Sequence, residues 1–72
     1  MITLYTSKGC SRCAMVKQIL DARKIEYRVQ VYEDMPQEQQ DELLKKTDAA
    51  DIYSFPVIER EDGSITNSVE GL

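Results

Sequence analysis

The sequence predicts an α/β fold in the order β-α-β-α-β-β, with two helices packed on a four-stranded mixed sheet. Three observations carry this. Segments rich in β-branched and aromatic residues flank a stretch with helical spacing. A strand–helix–strand unit closes with a right-handed crossover, so its strands are parallel. Near the end, Asp62-Gly63 marks a tight hairpin between two antiparallel strands. The 72 residues give room for one small domain, spanning 1–72.

"ITLYT", Ile2 to Thr6, is the first strand, and "SKG" breaks it. A helix is expected from Ser11 to about Lys24, with Val16, Ile19, Leu20 and Arg23 at i, i+3, i+4, i+7 spacing. "EYRVQVY", Glu26 to Tyr32, alternates as a second strand with Tyr27, Val29 and Val31 on one face. Asp34 and Gln37 around Pro36 have the spacing of a capping box. The second helix then runs to about Thr47, anchored by Leu43 and Leu44, and "DAADIYS" is a loop. "FPVIER" is a third strand that opens at Pro56, where a missing N–H is tolerated. "SITNSV" is the fourth.

The composition is that of a soluble globular chain, 42% apolar and 31% charged. No apolar run approaches the roughly 20 residues a membrane span needs, and the start has no signal-peptide pattern. The expected compartment is the reducing cytoplasm. The net charge of −4 is unevenly divided: residues 1–28 carry six basic and two acidic side chains, residues 29–72 three and eleven. An acidic domain without a basic–aromatic array is no nucleic-acid binder. The basic part holds Lys8, Arg12 and Lys17 around the two cysteines, where they favour a thiolate and attract anions.

Those cysteines, Cys10 and Cys13 in "SKGCSRCAMV", are the centre of the chemistry. The pair reads as a redox dithiol, as part of a metal site, or as two small core residues. Structural zinc needs four ligands, and the chain has no histidine and no further cysteine, so no metal is assigned. The strand–turn–helix context favours redox chemistry. Cys10 falls at the first turn of a helix, where free N–H groups and the helix dipole stabilise negative charge. A thiol with pKa 8.5 is about 3% ionised at pH 7; at a pKa near 6 it is about 90% ionised. Cys13 lies one turn deeper on the same side and stays protonated longer. Cys10 is therefore the nucleophile and Cys13 the resolving thiol.

Taken together, "ITLYTSKGCSRC", "ELLKKT", "SFPVI" and "DGSIT…VEGL" resemble a glutaredoxin with the thioredoxin fold, over nearly the whole chain. The resemblance implies a thiol–disulfide oxidoreductase that reduces protein or glutathione-mixed disulfides. Glutathione is its reducing co-substrate, and no cofactor is bound. It implies a cis Pro56 against the dithiol, with the Phe55 backbone pairing with a bound peptide or glutathione. Lys8 matches a residue that contacts the glycyl carboxylate of glutathione, and Arg12 adds charge beside it. Asn67-Ser68-Val69-Glu70 stands where the family has Gly-Gly-x-Asp, so Ser68, Val69 and Glu70 would hold the γ-glutamyl end. The dithiol is Cys-Ser-Arg-Cys where Cys-Pro-Tyr-Cys is common, and the chain stops where the family continues into a last helix, as a minimal form or a truncated one. Alternatives are a redoxin reduced by thioredoxin reductase that serves ribonucleotide reductase, and a non-enzymatic dithiol module binding metal or a partner. The expected state is a monomer.

Overall fold

The computed structural model describes residues 1–69. Its elements are β1 (Ile2–Thr6), α1 (Ser11–Ala22), β2 (Tyr27–Val31), a short 3-10 turn (Tyr32–Asp34), α2 (Gln37–Ala49), β3 (Val57–Glu59) and β4 (Ile65–Thr66). The sheet order is β2-β1-β3-β4. β1 and β2 are parallel, from Ile2↔Tyr27 to Thr6↔Val31, while β3 runs antiparallel to both β1 and β4. The expected α/β topology and mixed four-stranded sheet are thus present.

Each face of the sheet carries one helix, because alternate strand residues point to opposite sides. On one face Ile2, Leu4 and Ile58 bury against Leu20 of α1, with Val16, Ile25 and Val69 around them. On the other, Val57 joins Leu43 of α2 with Met35 and Ile52. Leu4, Leu20, Ile58, Val57 and Pro56 are fully enclosed. Each large apolar side chain among them contributes about 1.5–3 kcal/mol through burial.

Both helices stop differently from the expectation. α1 ends at Ala22 rather than Lys24, and α2 continues to Ala49 rather than Thr47. Each closes in a Schellman arrangement. Ile25 N–H bonds to Leu20 O (3.0 Å) and Lys24 N–H to Asp21 O (3.1 Å); Ile52 N–H bonds to Thr47 O (2.8 Å) and Asp51 N–H to Asp48 O (3.2 Å). The turning residues, Lys24 and Asp51, both have φ +57°. The isoleucine that follows each drops into a core cluster.

The proposed capping box is absent. Pro36 occupies the N-cap position of α2 and no side chain caps it. The residue before a proline is held extended, and Met35 has φ −80° and ψ 145°. The helix therefore starts only after Pro36, while Asp34 belongs to the preceding turn. Leu44 is not an anchor either: it is 51% exposed, against 3% for Leu43.

β2 is one residue shorter at each end than expected, and Val29 is exposed. β3 excludes Pro56 and gives way at Arg60 to a tight hairpin, closed by Arg60 N–H to Ser64 O and Gly63 N–H to Arg60 O. Gly63 takes φ +89° there, a conformation that favours glycine. β4 ends at Thr66, whose hydroxyl oxygen accepts from Ser68 N–H (3.3 Å) and so bends the backbone out of the ladder.

Candidate active site

The dithiol stands where β1 gives way to α1. After Thr6 the chain makes a four-residue turn, closed by Cys10 N–H to Ser7 O (3.3 Å), with Gly9 at φ +77°. Cys10 is the N-cap of α1: its backbone is extended, and its sulfur accepts the N–H of Cys13 at 3.1 Å. Cys10 and Cys13 are joined as a disulfide with Cα atoms 5.3 Å apart. Cys13 is buried at 3% exposure, while Cys10 is partly open. An N-cap acceptor is the place in a helix where a negative charge meets free N–H donors and the positive dipole end. Cys10 occupies that position, with Cys13 one turn behind it.

Pro56 lies next to this turn through the sheet. Tyr5 pairs with Val57 across β1 and β3, so Pro56 stands one step further, beside the end of β1. The Phe55–Pro56 peptide is cis. The Phe55 ring tilts against Tyr32, with centroids 5.5 Å apart and planes at 57°. Among the described residues, the N–H groups of Ser54 and Phe55 form no backbone hydrogen bond, which leaves this edge open to an incoming strand.

The remaining expected contacts are differently disposed. Lys8 is exposed, and its ammonium lies 3.7 Å from Asp34. Arg12, in the first turn of α1, is exposed and has no ion-pair partner among the described residues. Val69 packs its side chain on the core, and its carbonyl accepts from the Arg23 guanidinium at 3.2 Å. Ser68 lies just before it, in the bend after β4. Glu70 falls outside the described residues.

Two acids missed in the sequence border the dithiol turn. Glu33 accepts from the Ser7 hydroxyl at 2.6 Å and from the Lys8 N–H at 3.0 Å, and Asp34 faces Lys8. The Ser7 hydroxyl, the Lys8 N–H and the Lys8 charge together hold the Glu33 carboxyl below its ordinary pKa. The signal was present in the topology. β1 and β2 are parallel and end together at Thr6↔Val31, so the residues after each strand lie side by side. The positive surround expected from sequence position is thus partly neutralised by side chains more than twenty positions away. Among the described residues, no group of three or more Cys, Asp or Glu side chains is gathered to hold a metal ion. Among the described residues, no helix is long and apolar enough to cross a membrane.

The glutaredoxin family model matches residues 2–63. The chain belongs to the glutaredoxin family. The match covers the dithiol and the Phe55–Pro56 segment and stops before Ser68 and Val69. Among solved structures, the fold is similar to that of the thioredoxin-like protein BC3987, with a TM-score of 0.69 and 21% identity over 97% of this chain and 89% of that one. A threonine-to-alanine variant of that protein aligns equally, with a TM-score of 0.71 over 97% and 88%. No curated protein sequence matches the chain.

Proposed function

We propose that this glutaredoxin is a dithiol thiol–disulfide oxidoreductase, with Cys10 as nucleophile and Cys13 as resolving thiol. The observation that carries this is the asymmetry of the pair. Cys10 is a partly open N-cap whose sulfur accepts a backbone N–H, and Cys13 is buried one turn on. The Cys10 thiolate attacks one sulfur of a substrate disulfide, forming a mixed disulfide and expelling the other sulfur as a thiolate. Cys13 then loses its proton and attacks the Cys10 sulfur. The Cys10–Cys13 disulfide forms and the second substrate thiolate leaves. Two electrons reach the substrate, and two glutathione molecules restore the dithiol as they become glutathione disulfide. Lys8 and Arg12 draw the glutathione carboxylates, the open backbone at Phe55 beside Pro56 pairs with the bound chain, and Ser68, Val69 and Glu70 take the γ-glutamyl end.

The substrates are protein and glutathione-mixed disulfides, and the setting is the cytoplasm. A second reading has a thioredoxin reductase as electron source and ribonucleotide reductase as acceptor. It is favoured by one observation: Asp34 already engages the Lys8 ammonium that glutathione would use.

The deciding assay is reduction of a small glutathione-mixed disulfide, with glutathione and thioredoxin reductase compared as donors. Turnover with glutathione supports the first reading, and turnover with the reductase alone the second. Cys10→Ser abolishes either activity. Cys13→Ser traps a mixed disulfide with protein substrates and retains action on glutathione-mixed ones. Equal residual activity in both variants would refute the role assignment.

A further inference from the structure

A chain of hydrogen bonds leads from the turn after β2 to the nucleophilic sulfur. Glu33 receives the Ser7 hydroxyl and the Lys8 N–H. The Ser7 carbonyl receives the Cys10 N–H. The Cys10 sulfur receives the Cys13 N–H. The first link, at 2.6 Å, has the length of a charge-assisted O–H to carboxylate bond. Its partners are 26 positions apart in sequence. The Cys10 N–H to Ser7 O bond closes the turn locally, and the long-range tether from Glu33 anchors its entry at Ser7 and Lys8.

We infer that Glu33 is a positioning residue for Cys10: it pins the Ser7–Cys10 turn so that the sulfur stays at the helix N-terminus. This rests on the Cys10 role proposed above. The carboxylate acts in two opposed ways. As a negative charge near the dithiol it disfavours a thiolate. As a hydrogen-bond acceptor it fixes the geometry that favours one. Lys8 and Arg12 flank Cys10 with positive charge, Asp34 adds a second negative charge beside Glu33, and Phe55–Pro56 contributes none. A purely electrostatic Glu33 and a positioning Glu33 therefore shift the Cys10 pKa in opposite directions when removed.

The test measures the pH profile of iodoacetamide alkylation of the reduced protein, in a Cys13→Ser background so that Cys10 alone reacts. Glu33→Ala removes charge and tether, and the profile is expected to move to higher pH, slowing alkylation at pH 6 about three- to tenfold. Glu33→Gln removes the charge and keeps an acceptor for Lys8 N–H, and its profile is expected to match the parent or move to lower pH. Ser7→Ala cuts one leg of the tether and is expected to shift the profile in the Glu33→Ala direction by less. A Glu33→Ala profile unchanged or moved to lower pH overturns the inference, and so does a Glu33→Gln shift as large as that of Glu33→Ala. The readout is thiol ionisation rather than disulfide turnover. A protein that failed to reduce any disulfide, yet showed these shifts, would refute the proposed function and leave the tether standing.

Discussion

The Tyr32–Phe55 ring pair joins the two segments that border the dithiol turn, and its removal has a magnitude that the structure sets. Tyr32 opens the turn that carries Glu33, and Phe55 precedes the cis proline. Their centroids are 5.5 Å apart and tilted by 57°, within the range where aromatic pairs contribute about 0.5–1.5 kcal/mol beyond burial. Leucine at either position keeps an apolar filling and removes the ring. The perturbation is therefore a double-mutant cycle of Tyr32→Leu, Phe55→Leu and the pair. In urea unfolding, with a slope of about 1 kcal/mol/M for a chain this short, the single midpoint shifts should overpredict the double by about 0.5–1.5 M. Phe55→Leu should also raise KM for a polypeptide disulfide while leaving Cys10 alkylation unchanged. Additivity within about 0.3 kcal/mol would refute the ring coupling.

Three further outcomes follow from the same structure. Leu43→Ala should lower stability by about 2–5 kcal/mol and Leu44→Ala by under about 1 kcal/mol, because the first is enclosed and the second half exposed; urea unfolding of the two separates them. Lys24→Gly and Asp51→Gly should each raise stability by about 0.5–1 kcal/mol, since the relief of a left-handed side chain exceeds the added freedom of the unfolded glycine; a lowered thermal midpoint in both would contradict the assignment of these helix ends. Lys46, bonded to Glu59, and Tyr5, raised first by burial, both have raised pKa values. The stability they contribute is complete below their unfolded values, near pH 10, and declines as pH rises through the folded ones, so denaturant midpoints should fall on the alkaline side of pH 10. Lys46→Met should flatten part of that decline.

The order of the strands and their pairing were legible because local composition and connection rules both specify them. β1 appears at the residues its β-branched and aromatic run marks, and the parallel β1–β2 pair follows from the crossover. Helix ends were not legible. The usual marker is a glycine just beyond the helix, whereas Lys24 and Asp51 stand there and the isoleucine behind each, Ile25 partly buried and Ile52 buried, packs on a core cluster and fixes the turn. Leu43 and Leu44 are adjacent and equally apolar, and only the direction of α2 against the sheet decides between them. The apparent capping box had the right residue types, but Pro36 dictates an extended backbone at the place where the cap would have to sit.

The site divides in the same way. Cys10 and Cys13 are near neighbours in sequence, and their placement at the start of a helix that follows a strand is disclosed by one stretch of chain. Glu33 and Asp34 sit in the acidic part of the sequence, as though separate from the basic dithiol segment. Parallel pairing brings the ends of β1 and β2 together and sets the acids against Ser7 and Lys8. Charge tallied along a chain therefore misstates charge felt at a site whenever parallel strands end side by side. The dithiol of this protein has its basic flanks supplied locally and its acidic counterweight supplied through the sheet. In the proposed mechanism the Cys10 thiolate depends on the balance of the two, and the inferred double part of Glu33, counter-charge and tether, makes it the residue through which that balance can be measured.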